Sequence, residues 1–590
     1  MIKQIWFLSL VFFLGCAPNP KTVLTQHTVL NLDFEFAKNE NVIDRWRLGD
    51  TGYIGVIDHQ ERQHGNASLR LERVLTYGSP FSTFYNDFIS DSLSGKTVEL
   101  TGWIKTKDVK ESYASLWLRV DGLPGTPPLD YIDLNDRGIS GTSDWTYVSI
   151  IIKVVPGAKK VRFGGILFGD GAAWFDNFKI YIDGKQHEDS LLDEPKSRLT
   201  KRELTALKQY IYPLKSVAPD YKETEDLKVL HQLVKQSSVV ALGEVTHGSS
   251  HIFKLKDRII RYLAENKGFN IFSIEANMTE SYKLNQYIVE KTGDPKELIQ
   301  GMHFWIWDTK EMLDMVEWMQ SYNKYAKKIL FTGVDMQFYD GPIDELHDFF
   351  KNSPKILSHV ISLKHSLDAI KDKNRKNLDI TPKDQVRVES ELFELKKYIL
   401  ASTFDRPTKE WLIQNTNLIK QFTAISAPGG YVLRDRYMSD NLLWLKDYNP
   451  VSRIVIWAHN AHISKSGGGM GEYLKNALSE DYVTFGFAFF KGNFTAYGNE
   501  GLTTYKAEDA YPGTLEYLLD QIEQPIFILD LKKIKAENNK TTQWIKKQLN
   551  FRNTGAVQET NDFILTNIID DFDYLIFIRE TSASQLLHEY

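Results

Sequence analysis

Two periodicities divide the chain. From Leu30 to Gly184 apolar and polar residues alternate in short segments broken by Gly, Asp and Asn. The segments are Ser68–Leu71, Val98–Ile104, Tyr113–Val120, Trp145–Val154, Lys160–Phe168 and Ala173–Ile182. Period-two alternation at this density predicts an all-β sandwich or jelly roll. Trp103, Trp117 and Trp145 lie in these strands and read as core. A charged linker follows over 185–201. From Arg202 to the end, over 202–590, helical patterns alternate with short apolar runs, which predicts an α/β domain with a mainly parallel sheet. Its strands are expected at Ser238–Leu242, Asn270–Ile274, Ile329–Val334 and Arg453–Ala458, then Tyr482–Phe490, Pro525–Leu531 and Tyr574–Ile578. Between the third and fourth, about 340–450 reads almost wholly as helix, more than one crossover needs.

The N-terminus has a different pattern. Lys3 precedes an apolar run from Ile5 to Leu14, ending in Gly15-Cys16. The run is shorter than the ~20 residues of a spanning helix and has the parts of a secretory signal peptide over 1–15. The chain's single cysteine at that junction resembles a lipoprotein lipobox. This predicts lipidation at Cys16, a tether over 16–29 and a membrane-anchored lipoprotein of the bacterial cell envelope. Ala17, where Asp would favour the inner membrane, points to the outer membrane.

At 590 residues the chain exceeds one core, so a multidomain protein is expected. A net charge of −6 without a long basic run argues against a nucleic-acid partner. With its one cysteine at the lipidation site, no cysteine remains for nucleophilic or metal chemistry. No G-x-S-x-G elbow and no Gly-rich phosphate loop occurs.

What remains gathers after the strands. Gly243-Glu244-Val245-Thr246-His247-Gly248 follows the first, Glu275-Ala276-Asn277 the second, Asp335-Met336-Gln337 the third and His459-Asn460-Ala461-His462 the fourth. Ligands of open α/β sheets bind beyond the strands' carboxyl ends, and neighbouring strands lie about 5 Å apart. Four polar strand ends would therefore converge Glu244, His247, Glu275, Asp335, His459 and His462 on one crevice. That set suits activation of water by a carboxylate-held histidine, with other histidines stabilising an oxyanion. It also suits a divalent metal such as zinc, although no familiar metal spacing such as H-E-x-x-H occurs.

The same residues carry a family resemblance. GEVTHG (243–248), HIFKLKDRIIRYL (251–263), FNIFSIEANM (269–278), GMHFWIWDTKE (301–311), FTGVDMQ (331–337), RDRYMSDNLLW (434–444), IVIWAHNAHIS (454–464), MGEYLKNAL (470–478) and DYVTFGFAF (481–489) fall in the order found in the erythromycin esterase family. The resemblance covers roughly 225–585. It implies a three-layer α/β/α fold with a helical wall to the cleft, and hydrolysis of a carboxylic ester or macrolactone, with a response to macrolide antibiotics. It implies that His247 is the general base, that Glu244 and Glu275 orient it or the water, and that His459 and His462 are the cleft's paired histidines. Lys256 stands where some members carry arginine; with Trp305, Trp307 and Asp335 it is expected to contact the substrate. The resemblance leaves metal dependence open.

Asn31-Leu32-Asp33-Phe34-Glu35, HGNASLRLE (64–72) and Trp174-Phe175-Asp176-Asn177-Phe178 resemble a carbohydrate-binding-module jelly roll. That resemblance implies a structural calcium between Glu35 and Asp176 and a glycan partner. The competing functions are a metal-dependent hydrolase of another substrate and a glycan-binding lipoprotein with an idle hydrolase domain.

Overall fold

A computed structural model describes residues 30–588, apart from 40–41, 44, 50–51, 75–79, 90–92, 123–127, 188–195, 325–327, 376–379, 428–429 and 559–561. The signal segment, Cys16 and the tether lie outside the described residues.

Among the described residues, the N-terminal region is an antiparallel sheet of ten strands, curled around an apolar core, and a separate pair of short strands, Ala37–Asn39 and Val42–Ile43. The segments expected at Val98–Ile104 and Tyr113–Val120 are a single strand, Thr97–Asp121. Its first half pairs with Ala172–Ile182 and its second with Lys160–Phe168, so it changes partner midway. Asp108 has φ of 55° there, and register shifts around Val109 absorb the bend. The core is an aromatic cluster in which Phe34, Trp46, Phe84 and Phe178 meet at ring separations of 5.0–6.0 Å. The expectation that Trp117 joins this core is corrected by strand parity. Leu116 and Leu118 take the core side, so Trp117 turns to the opposite face, buried there with its indole donating to Gly165 O at 3.1 Å. Trp103 and Trp145 are only partly buried.

The second region is a nine-stranded sheet. Its strands are β1 (Ile211–Pro213), β2 (Val239–Leu242), β3 (Phe269–Asn277), β4 (Leu330–Asp335), β5 (Arg453–Trp457), β6 (Tyr482–Gly498), β7 (Gly501–Ala507), β8 (Ile526–Asp530) and β9 (Tyr574–Thr581). They run in the order β1-β8-β9-β6-β2-β5-β3-β4, with β7 paired to β6. From β4 to β9 the pairing is parallel; β8 and β1 close one edge antiparallel. Strands buried on both faces read as continuous apolar runs. In β2 the alternation sends Val240 and Leu242 into one core and Val239 and Ala241 into another. The first core includes Ile252, Ile259 and Leu263 of helix Ser250–Lys267. The second includes Met438, Leu442 and Leu445 of helix Arg434–Tyr448.

Between β4 and β5 the described residues form five α-helices, Asp340–Phe350, Pro354–Arg375, Pro382–Ala401, Arg406–Ser426 and Arg434–Tyr448. The first four share a hydrophobic core of their own, including Leu346, Leu363, Leu395 and Ile419.

Candidate active site

The parallel order brings the carboxyl ends of β2, β5, β3 and β4 side by side. β5 lies between β2 and β3, so the polar groups sort into two connected clusters.

The first cluster follows β2. Glu244 is wholly buried. Its Oε1 meets His247 Nδ1 at 2.7 Å, and its Oε2 accepts Lys256 Nζ at 2.8 Å and the Trp457 indole N–H. Close backbone approach sets this turn. A Cβ on Gly243 would lie 2.1 Å from Asn460 Oδ1, and one on Gly248 1.9 Å from Thr495 O. Asn460 in turn bridges to the Phe487 backbone in both directions. Lys256 lies in the helix capped by Ser249, also wholly buried, with its ammonium 4.3 Å from the Trp457 ring centre. Burial drives the Glu244 carboxyl upward, but Lys256 and His247 outweigh it and hold it at about 2. Burial likewise pulls Lys256 down to about 8 against the pull of Glu244. At neutral pH Glu244 and Lys256 form an ion pair, and Glu244 accepts from His247 in the tautomer that carries its proton on Nδ1. That tautomer leaves the Nε2 lone pair open; Nε2 has no partner among the described residues.

The second cluster spans β3, β4, β5 and the start of helix Arg434–Tyr448. Arg434 Nη2 donates to Glu275 Oε1 at 2.9 Å and to Asp335 Oδ2 at 2.6 Å. His462 Nε2 lies 3.1 Å from Glu275 Oε1 and its Nδ1 2.7 Å from Asp435 Oδ1. Glu275 Oε2 accepts the His459 backbone N–H at 2.9 Å. Burial raises the Glu275 carboxyl, but His462, Arg434 and His247 outweigh it and hold it well below its ordinary value. For His462, burial is outweighed by Asp435 and Glu275, and the imidazole is pushed up to about 10. His462 is therefore an imidazolium donating from both nitrogens. His459 behaves oppositely: burial and the nearby His247 push it down to about 4. It is neutral, its Nδ1 accepting from Ala461 N–H at 3.2 Å. Its Nε2–H faces the carbonyls of Thr554 and Val245 at 3.3 and 3.4 Å. The rings of His247 and His459 are 5.2 Å apart and join the clusters.

Several expectations change. Glu275 bonds Arg434, His462 and the His459 backbone rather than His247, because β5 separates β2 from β3. Lys256, Trp307 and Asp335 are wholly buried, which withholds them from a substrate. Lys256 holds Glu244, Asp335 holds Arg434, and Trp307 donates to Glu275 O at 3.1 Å. Trp305 is only partly buried and packs edge-on to Tyr497 at 5.9 Å. Arg434 and Asp435 were missed as site residues. Their signal was three charges within RDR at a helix start after a long insertion, which sequence spacing alone does not connect to β3 or β5.

The donor set fits a metal poorly. Lys256, Arg434 and His462 are interleaved with Glu244, Glu275, Asp335 and Asp435, and these cations already occupy the carboxylates. Among the described residues no group of three or more His, Cys, Asp or Glu is arranged to hold a metal. In the N-terminal domain, Glu35 accepts the amides of Asn66 and Ala67, and Asp176 those of Gln63, His64 and Asn177. Both carboxylates thus clamp the 63–67 loop, and a calcium there would compete with those amides.

Residues 264–581 match the family model described as Erythromycin esterase. The chain belongs to the erythromycin esterase family. The matched span holds Glu275, Asp335, Arg434, His459 and His462, while Glu244 and His247 lie just upstream of it. Erythromycin esterase type II of Escherichia coli is 28% identical over 331 residues, covering 50% of this chain and 78% of that protein. The putative hydrolase YbfO of Bacillus subtilis (strain 168) is 22% identical over 361 residues, covering 54% and 80%. A crystal structure titled succinoglycan biosynthesis protein is 27% identical with a TM-score of 0.58, covering 65% of this chain and 98% of that one. As a family member the chain carries a hydrolase domain that follows a separate β domain.

Proposed function

We propose that this erythromycin esterase family member hydrolyses a carboxylic ester or macrolactone with His247 as general base. The observation that carries the reading is the Glu244–His247 pair, with Nδ1 tied to an ionised carboxylate at 2.7 Å and Nε2 turned away from it. In the proposed step Nε2 takes a proton from water as the water oxygen attacks the ester carbonyl carbon. The imidazolium so formed is stabilised by Glu244. The carbonyl oxygen becomes an oxyanion, and its charge calls for fixed cations. Arg434 Nη1, which lies 3.2 Å from the cationic His462 rather than on a carboxylate, is the donor we assign to it. His462 adds charge to the same spot. Collapse breaks the acyl carbon–oxygen bond, and the leaving alkoxide recovers the proton from His247. In a macrolactone, acid and alcohol stay in one molecule.

No metal is needed in this scheme, because the cations are supplied by side chains. Activity on a macrolide would confer a response to that antibiotic. We further propose that the N-terminal sheet binds glycan and that Cys16 anchors the protein by lipid to the outer membrane. The test is a screen of the purified protein against macrolides and a panel of bulky esters, with chelator present. With an active substrate, His247→Asn is expected to lower turnover by about 10²–10⁴ with an unchanged fold. Near-normal turnover in that variant removes His247 from the chemistry. Loss on chelation and recovery with zinc replaces the scheme by a metal-dependent one.

A further inference from the structure

Among the described residues, one face of the helical insertion has no partner. Helix Pro382–Ala401 packs Val388, Leu392, Leu395 and Ile399 into the insertion core. These residues already supply the apolar stripe that a helix needs to be held in place. A second apolar row runs along its outer side. Val386, Phe393 and Leu400 are 61%, 64% and 66% exposed. Among the described residues only Val451, in a turn, is a more exposed large hydrophobic. The three are spaced by seven residues, and an α-helix drifts only about 20° per heptad. They therefore form one line about 21 Å long. Folding of the chain does not require this line.

Charges flank it symmetrically. Glu389 lies four residues before Phe393 and Lys397 four residues after, and both are exposed. In an antiparallel pair of these helices related by a two-fold axis at Phe393, Phe393 meets its own copy. Val386 then meets Leu400, and Glu389 meets Lys397, each contact occurring twice. A parallel pair would set Glu389 against Glu389 and Lys397 against Lys397. The charges thus select both the partner and the direction.

We propose that this face is the interface of a two-fold homodimer, formed by antiparallel pairing of helix Pro382–Ala401 about Phe393. A lipid surface is the other occupant for an exposed apolar row on an anchored protein. The helix carries Lys383, Arg387, Lys396 and Lys397 against Asp384, Glu389, Glu391 and Glu394, without the basic excess that anionic lipid selects.

The test is sedimentation velocity on the full chain in density-matched detergent, over micromolar concentrations. The expected result is a reversible species of twice the monomer mass. Phe393→Glu should leave only the monomer, with unchanged far-UV circular dichroism. Glu389→Lys and Lys397→Glu should each weaken dimerisation by about tenfold or more. The double variant Glu389→Lys/Lys397→Glu should restore it, because the opposed pairs are re-formed with signs exchanged. A single monomeric species at all concentrations overturns the proposal. So does a double variant as weak as the singles, which would mean that the helices do not meet in this register. Flotation of a monomeric Cys16→Ala chain with phosphatidylcholine/phosphatidylglycerol vesicles, lost on Phe393→Glu, would assign the face to the membrane instead.

Discussion

Replacing Glu244 by glutamine tests the site where catalysis and folding depend on the same atoms. Glutamine keeps the shape but has one acceptor oxygen where the carboxylate has two. Glu244 now accepts from His247, Lys256 and Trp457. If the amide oxygen serves Lys256 and Trp457, the amide N–H group faces His247 Nδ1. His247 must then accept there and carry its proton on Nε2, the tautomer that cannot take a proton from water. Turnover is expected to fall by about 10⁴, as when a neutral amide replaces the carboxylate of a His–carboxylate pair. Stability changes too. Lys256 is wholly buried and held at about 8 even beside its carboxylate. Without that charge it folds neutral, and at pH 7 releasing the proton of a free lysine costs about 5 kcal/mol. The expected destabilisation is therefore about 3–5 kcal/mol, read from urea unfolding. Its pH dependence has a definite sign. The unfolded variant binds a proton at Lys256 that the folded variant does not, so its stability rises with pH. Its deficit against wild type should narrow as pH climbs to about 8, where the folded wild type also begins to release the Lys256 proton, and stay level from there to the ordinary lysine value. Wild-type turnover and wild-type stability in Glu244→Gln would refute both the tautomer argument and the buried ion pair.

Asp435→Asn removes the largest support for the His462 charge, held at about 10. A raised folded-state value adds stability fully below the ordinary histidine value and loses it as pH rises toward 10. The wild type should therefore exceed the variant most near pH 6 and least near pH 10 in denaturant melts, and a pH-independent gap would contradict the pairing. A chain beginning at Ser197 should fold alone and keep any hydrolysis, since Leu199 is buried and its N–H binds Gln521. One beginning at Arg202 also loses the Thr200 cap of helix Lys201–Leu207, worth about 1 kcal/mol; equal melting of the two chains would remove that argument. Cys16→Ala should move the protein from the membrane to the soluble fraction, and full retention at the membrane would end the lipid-anchor proposal.

Much of the hydrolase domain was written locally. Its strands are unbroken apolar runs because both faces are covered, and each run ends on a polar group, so Glu244, Glu275, Asp335 and His459 were legible as strand-end residues. In the β domain, parity along Tyr113–Val120 was legible too, although which face held the core was not; that decided the place of Trp117. The sequence could not tell that β5 enters between β2 and β3, because strand order depends on long-range pairing rather than on any segment's own pattern. That insertion separates His247 from Glu275 and assigns Glu275 to Arg434, a residue 159 positions away. Nor could spacing distinguish the histidines, which look alike in the HNAH turn. His459 is neutral because it is buried with a backbone N–H on its ring and His247 nearby, and His462 is charged because two carboxylates flank it. Residue type supplied the candidates; burial and the neighbours brought in from distant strands determined which one holds a proton and which one lacks it.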